Sequence, residues 1–508
     1  MSEVNEKHPE QGPPNRVDRL REYFRSGRAP WRIENGRMGF LSTRDQESPL
    51  DVVADKRVFS KELRNRHASE LRDVATKQFA EKWPAESARS IDPQNLALNC
   101  LLPILAFAIA AFLIFPPFAT AATTLFASSC FIMIAGVRIW LALLARSGQT
   151  KYERALLREI DLPVVTILAP LYREAHALPG LVQAISRLDY PPEKIDVKLL
   201  LEQEDQETID EAFRLQLDER FDLVIIPPSH PQTKPKACNY GLACARGDLI
   251  VIYDAEDEPE PEQLRIAAEI FATSQDDLAC VQAKLNYYNP DENWLTRLFT
   301  LEYCLWFDHF LPALDHLGAP VPLGGTSNIF RTDILAEVGG WDPYNVTEDA
   351  DLGLRLARRG YRTAVIDTTT YEEANCRIGN WMRQRSRWMK GFMQTWLVHR
   401  NAAAAPRDWR EILAVDLFVG GTVAAALLNP FLWAALIAEW KFGLSLLAPL
   451  PSSLAWALTQ ALAAANLSFM ALAAYAPVKR GLWRLSPAAL LTPVYWIMMS
   501  IAAWIAFW

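Results

Sequence analysis

Apolar positions gather in two blocks, 97–145 and 411–508, and polar positions fill the rest of the chain. Within the blocks, five stretches (97–118, 121–144, 412–437, 454–476 and 486–508) reach the ~20 apolar residues that a bilayer crossing needs. Pro116-Pro117 marks a turn that makes the first two a hairpin, and Asn429-Pro430 interrupts the third. Between the blocks the pattern changes to short Val/Ile/Leu runs that alternate with helical periodicity. Residues 164–172, 196–202, 221–227 and 248–254 read as buried strands, and 175–187, 206–217 and 236–245 as helices. That alternation predicts βαβ units and a Rossmann-like, mostly parallel α/β sheet, in a domain of residues 146–410 inserted between transmembrane helices.

Residues 1–96 are polar, mixed in charge and lack a signal-peptide core. Residues 1–20 are expected to be disordered and 61–84 to form one or two helices, with no function assigned. Lys and Arg are frequent before the first span, absent from 117–120, and present as Arg146, Lys151, Lys479, Arg480 and Arg484. This distribution puts the N-terminus and 146–411 in the cytoplasm and the last residue outside. The formal charge of -8 argues against a nucleic-acid partner. The seven cysteines form no C-x-x-C pair, so free thiols are expected and a zinc site is not. Few ionisable groups lie in the spans, Asp416 being the notable one, which argues against a solute transporter.

Ligands of open α/β sheets bind at the carboxyl ends of the strands. Here those ends read Pro170-Leu171-Tyr172-Arg173-Glu174, Glu202-Gln203-Glu204-Asp205 and Asp254-Ala255-Glu256-Asp257, and no glycine-rich phosphate loop follows any strand. A diphosphate would then need a cation held by carboxylates. Asp254 and Glu256 would share a face of an extended segment, with Asp257 pointing away unless the chain turns. Glu258 to Glu262 read as the start of a helix, with Pro259 and Pro261 suited to its first turn. Thr347 could cap the helix that follows, and either Glu348 or Asp349 could serve as a general base. Residues 381–396 carry four cations and three tryptophans and read as an amphipathic helix at the membrane surface, extending to 399. Arg385 and Arg387 cannot face the same way on it.

In order, PLYRE (170–174), LLLEQED (199–205), KPKACNY (234–240), DAED (254–257), GGTSNIF (324–330), TED (347–349) and QRSRW (384–388) resemble the membrane-embedded, cellulose-synthase-like branch of family 2 glycosyltransferases. The wording is closest to bacterial exopolysaccharide synthases and to phage-receptor-associated inner-membrane glycosyltransferases. The resemblance implies a GT-A fold and inverting transfer from a UDP-sugar to a polysaccharide or lipid acceptor, processive and coupled to export through the spans. It implies Mg²⁺ or Mn²⁺ at Asp254 and Glu256, with Asp257 a contender. Asp349 becomes the general base beside Glu348, Arg387 a partner of the diphosphate, and Gln384 and Trp388 neighbours of donor and acceptor. Pro170, Tyr172 and Glu174 would line the uridine pocket, Glu202 or Asp205 would lie near the base, and Lys236 near the nucleotide. Gly325, Thr326 and Ser327 would border the acceptor. The expected setting is a bacterial inner membrane with the catalytic domain cytoplasmic and with periplasmic or outer-membrane export partners. Related chains continue with a short basic tail, so Trp508 reads as a truncated or divergent end.

Overall fold

The computed structural model describes residues 16–32, 38–43, 52–147, 150–401, 408–443 and 447–508. Most of the stretch expected to be disordered, residues 1–15, lies outside them, and residues 16–26 form a helix. Three short strands, β1 (Arg28–Arg32), β2 (Met38–Ser42) and β3 (Val52–Val53), make a small sheet beside it.

The central sheet has eight strands: β4 (Val165–Leu171), β5 (Ile195–Glu202), β6 (Phe221–Ile226), β7 (Leu249–Ile252), β8 (Glu258–Pro259), β9 (Leu278–Tyr287), β10 (Asn328–Arg331) and β11 (Arg362–Glu372). Their spatial order is β6-β5-β4-β7-β10-β9-β11-β8. β6, β5, β4 and β7 run parallel, β10 is antiparallel to β7 and β9, and β11 returns parallel to β9. Strands β4 and β5 are buried almost throughout, which explains their wealth of Val, Ile and Leu, and β5 buries the Asp196–Lys198 pair as well. The order reverses between β4 and β7, the switch point at which such sheets open a crevice.

The acids after β7 correct one expectation. Glu258–Pro259 is a strand, not a helix start, and the helix begins only at Gln263. Its register sets Thr370 opposite Pro259 and Tyr371 opposite Glu258, and Glu260 exchanges further hydrogen bonds with the Thr369 backbone. Pairing with β11 overrides the helix-start chemistry of the local sequence.

The polar N-terminal segment is part of the globule. Phe24, Phe59, Leu63 and Leu71 pack with Tyr240, Ile250, Ile252 and Trp341 in one buried cluster. Arg64 holds Asp222 at 2.7 Å, and Asp222 also takes Lys198 at 3.1 Å, both inside the protein. Farther along, Ser87 and the Ala88 backbone bind Asp342 at 3.0 and 2.7 Å.

Among the described residues four helices are long and apolar enough to cross a membrane: Pro116–Ala145, Trp409–Phe442, Ser452–Arg480 and Trp483–Phe507. The fifth expected span is shorter, a helix of 13 residues at Leu102–Ile114 preceded by a π-turn at Ala97–Leu101. Pro430 sits inside a helix that stays continuous from Gly421 to Phe442. Phe107, Leu113, Phe126, Trp440 and Trp456 are exposed along these segments, as lipid-facing side chains are. The helix Ile378–Asn401 packs on the last span and on the helix Glu348–Arg358.

Candidate active site

At the carboxyl edge of β4, β5 and β7 lies an open cavity of about 400 Å³. Pro170, Leu171, Tyr172 and Glu174 line it from the end of β4, Glu202 from β5, and Asp254, Ala255 and Glu256 from the turn after β7. Gln232, Thr233, Lys234 and Ala237 close one wall, and Arg387 reaches in from the Ile378–Asn401 helix. Arg385, two residues earlier, turns the other way: it is 3 % exposed and meets Glu302 at 3.0 Å. The two arginines thus diverge as helical phase requires.

Lys234 organises the charge. Its Nζ lies 2.5 and 2.7 Å from the two Asp254 carboxylate oxygens and donates to the Gly325 carbonyl at 2.7 Å. Burial opposes its charge, but Asp254 and Glu348 outweigh burial and hold its pKa above the usual lysine range. Burial, then Asp254 and Glu174, push Glu256 up to about 7. Glu174 is raised by burial, and Asp254 and Asp205 add to the shift. Four carboxylates, Glu174, Glu202, Asp254 and Glu256, therefore line one crevice with two cations, Lys234 and Arg387, a set short of positive charge.

Asp349 opens the helix Glu348–Arg358, and its Oδ1 accepts the Ala350 N–H at 2.7 Å. A methyl group on Gly325 would stand 3.3 Å from Asp349 Oδ2 and 4.0 Å from Lys234 Nζ, so the lack of a side chain there leaves a gap between Asp349 and Lys234. Burial raises the pKa of Asp349, and burial with repulsion from Asp349 raises that of Glu348. Thr347 makes no cap with its side chain; its hydroxyl meets Thr395 at 3.2 Å on the Ile378–Asn401 helix. Gly391 of that helix abuts Thr347, and His399 Nε2 meets Asp351 Oδ1 at 2.9 Å. The helices that carry Asp349 and Arg387 are thereby bolted together.

Several expected site residues take supporting places instead. Lys236 is fully buried and binds Glu202 at 2.7 Å behind the cavity wall, because a helix turns residues two apart to different sides; Lys234 is the lysine that faces the crevice. Asp257 is fully buried: the chain turns at Asp254, and the carboxylate accepts the Asp254 N–H at 2.8 Å and the Thr326 hydroxyl. That removes Asp257 from the crevice and leaves Glu256 beside Asp254. The Thr326 hydroxyl oxygen also lies 2.9 Å from the Ile252 carbonyl, and Ser327 pairs with Thr370 at 2.5 Å, so both are interior and of the three only Gly325 borders open space. Asp205 caps the helix Gln206–Arg214 and accepts the Arg173 N–H, supporting the rim. Gln384 accepts from Asn375 at 2.9 Å, and Trp388 lies 4.5 Å from the Arg385 guanidinium, both outside the cavity lining.

Lys234, Gln232 and the Arg385–Glu302 pair escaped sequence reasoning. KPK offers two lysines, and the helix phase that selects Lys234 was the available signal. Nothing local marks Glu302. Among the described residues no group of three or more His, Cys, Asp or Glu converges as a metal cage.

A family model described as Glycosyl transferase family group 2 matches residues 249–508. The chain is similar to the probable glycosyltransferase YdaM of Bacillus subtilis (strain 168), 27% identical over 266 residues that cover 51% of this chain and 61% of that protein. It is similar to glucomannan 4-beta-mannosyltransferase 1 of Oryza sativa subsp. japonica, 24% identical over 276 residues that cover 51% of this chain and 52% of that one. The matches therefore span only about half to three fifths of these relatives. In fold it is similar to the mannosyltransferase PcManGT from Pyrobaculum calidifontis, solved in complex with GDP-Man and Mn2+: TM-score 0.53, 20% identity, 77% of this chain and 99% of that chain covered.

Proposed function

The chain belongs to glycosyl transferase family group 2, and from that premise we propose that it builds a β-linked polysaccharide at a bacterial inner membrane, transferring sugar from a UDP-sugar with inversion. The observation that carries this reading is the single cavity where Tyr172, Glu174, Glu202, Asp254 and Glu256 from three neighbouring strand ends meet Arg387 from a distant helix. The UDP moiety lies there, with the uracil toward Tyr172 and Glu202 and the diphosphate between Asp254 and Arg387.

Asp254 and Glu256 would hold Mg²⁺ or Mn²⁺. Their fit to such an ion rests on the donor set: both carboxylates face the crevice, Asp254 already grips an ammonium with both oxygens, and Glu256 is driven toward protonation by burial and then by the neighbouring carboxylates Asp254 and Glu174. A cage of three or more protein ligands is not required, since phosphate oxygens complete such sites. When bound, the cation neutralises charge that develops on the leaving diphosphate. Arg387 adds a fixed positive charge from the opposite wall. Asp349, raised in pKa and close to the working pH range, accepts the proton of the acceptor hydroxyl as its oxygen attacks C1. The C1–O bond to the diphosphate breaks on the opposite side, which inverts the configuration, and UDP departs without protonation.

The acceptor is the growing chain, passed out through the flanking spans, with the catalytic domain cytoplasmic. Two features support that arrangement: the Arg387 helix packs directly on the last span, and the apolar helices flank the catalytic domain on both sides in sequence. Incubation of the purified chain with labelled UDP-sugars, and with GDP-mannose as a competing donor, tests the reading. A ladder of products from a UDP-sugar supports it. Turnover of the GDP-sugar alone overturns the donor, and a single-sugar lipid product overturns the polymerase.

A further inference from the structure

The membrane-embedded part holds an ionic group that the reaction above does not use. Arg138 lies on the span Pro116–Ala145 and faces a cavity of about 150 Å³ among the spans, under the helix Trp294–Leu305. One guanidinium nitrogen donates to the Thr422 hydroxyl at 2.6 Å, and the group stands 6.0 Å from the Phe469 ring. Its Nε is buried with no partner, and among the described residues no carboxylate is within ion-pair distance. Glu302 lines the same cavity, but Arg385 and the Tyr495 hydroxyl already hold both its oxygens. Two arginines thus face one carboxylate in a low-dielectric interior, leaving one positive charge uncompensated. Such a charge is costly in a bilayer and marks a binding position.

The surroundings specify the ligand. Apart from Arg138, Glu302, Thr422, Asn429, Thr492 and Tyr495, the walls are apolar, with Phe131, Trp306 and Met499 among them. A second cavity of about 340 Å³ continues from it, sharing Phe131, Asn429 and Trp496. The first cavity sets one uncompensated cation among mostly apolar walls, which suits an amphiphile with an anionic head; the second adds Thr124, Ser128, Glu439, Thr459 and Asn466 to its apolar lining. Arg138 also lies on the catalytic-domain side of its span's midpoint, about 11 Å from it at 1.5 Å per residue, a level from which a long side chain reaches the headgroup layer. We propose that Arg138 anchors the phosphate of a membrane lipid whose chain lies in these cavities. The site stands independently of the donor reaction.

The test uses the full chain purified in a maltoside detergent, which carries no phosphate, with farnesyl phosphate, farnesol and inorganic phosphate as probes and thermal stability and direct binding as readouts. Farnesyl phosphate is expected to bind and stabilise, and the other two are not. Arg138→Met should weaken farnesyl phosphate binding on the order of tenfold to a hundredfold, the loss of a charge-assisted contact, and Arg138→Lys should restore part of it. Equal binding by wild type and Arg138→Met overturns the proposal, as does equal binding of farnesol or of inorganic phosphate. Selective protection by a neutral β-linked oligosaccharide instead of farnesyl phosphate overturns it too. Release of UDP from the donor, measured separately, reports on the catalytic site and not on this one.

Discussion

Adding one methyl group at Gly391 tests the claim that the general base and the diphosphate arginine are positioned as one unit. A Cβ at Gly391 would lie 2.5 Å from Thr347 Cγ2, 2.6 Å from its Oγ1 and 2.7 Å from its backbone N. Ordinary carbon contacts begin near ~3.5 Å, so about 1 Å of separation must open. Thr347 cannot swing aside freely: its N–H donates to Asn345 at 3.1 Å and its hydroxyl meets Thr395 at 3.2 Å. The backbone contact means that the start of the helix Glu348–Arg358 must itself move, carrying Asp349 two residues on. Overpacking of this kind costs about 1–3 kcal/mol of stability, and a 1 Å misplacement of a reacting group costs roughly 10²-fold in rate. Gly391→Ala should therefore lower kcat about 10- to 100-fold in a UDP-release assay. The donor KM should change little, because Asp254, Glu256 and Lys234 stay in place. Gly379→Ala, on the same helix with nothing within 4 Å, is the matched control and should behave as wild type. A Gly391→Ala enzyme with unchanged kcat, or one changed only in donor KM, would refute the coupling.

Asp349→Asn should cut turnover ~10²–10⁴-fold while donor binding by calorimetry is kept; equal UDP release would remove Asp349 as the base. Glu256 titrates at about 7, and only its carboxylate form can hold a cation, so Mn²⁺ affinity should weaken as pH falls through that value and Glu256→Gln should flatten the profile. The stability sign is opposite. The raised pKa means that the folded chain retains a proton the unfolded chain releases near 4.5, so this group's stabilisation is lost as pH rises through about 7. Metal-free Glu256→Gln should then melt higher than wild type at pH 8 and not at pH 4, and no pH-dependent difference would contradict the crowding of carboxylates. Arg385→Met leaves Glu302 with the Tyr495 hydroxyl as its remaining hydrogen-bond partner and should destabilise by about 1–3 kcal/mol; an unchanged melting temperature would show that the pair does not hold the helix.

The parallel core was legible because β4, β5, β6 and β7 are rich in Val, Ile and Leu, a pattern that burial imposes on β4, β5 and β7 from both faces. What failed depended on contacts distant in sequence. Glu258–Pro259 reads locally as a helix start and becomes a strand only because β11, more than a hundred residues later, pairs with it. The choice of Asp254 with Glu256 followed from strand geometry, but the burial of Asp257 depends on a hydroxyl from Thr326. Lys236, expected near the nucleotide, turns inward to Glu202, and helix phase sets Lys234, two residues earlier, on the crevice. The TED and QRSRW motifs were visible as words; the glycine that lets their helices touch, Gly391, carries no signal until both helices are in place.

The N-terminal segment that binds Asp222 and Asp342 sets a timetable for synthesis. Arg64 leaves the ribosome 158 residues before its partner Asp222, and Ser87 leaves 255 residues before Asp342. The apolar hairpin Leu102–Ile114 and Pro116–Ala145 is made in between. The segment must wait, with Phe24, Phe59 and Leu71 uncovered, while the apolar hairpin is made and the sheet behind it is completed. Contacts this distant in sequence form slowly and leave apolar surface open to misassociation in the interval. The segment and the catalytic domain also pin both ends of that hairpin to one globule, so membrane insertion and closure of the catalytic core are a single assembly problem.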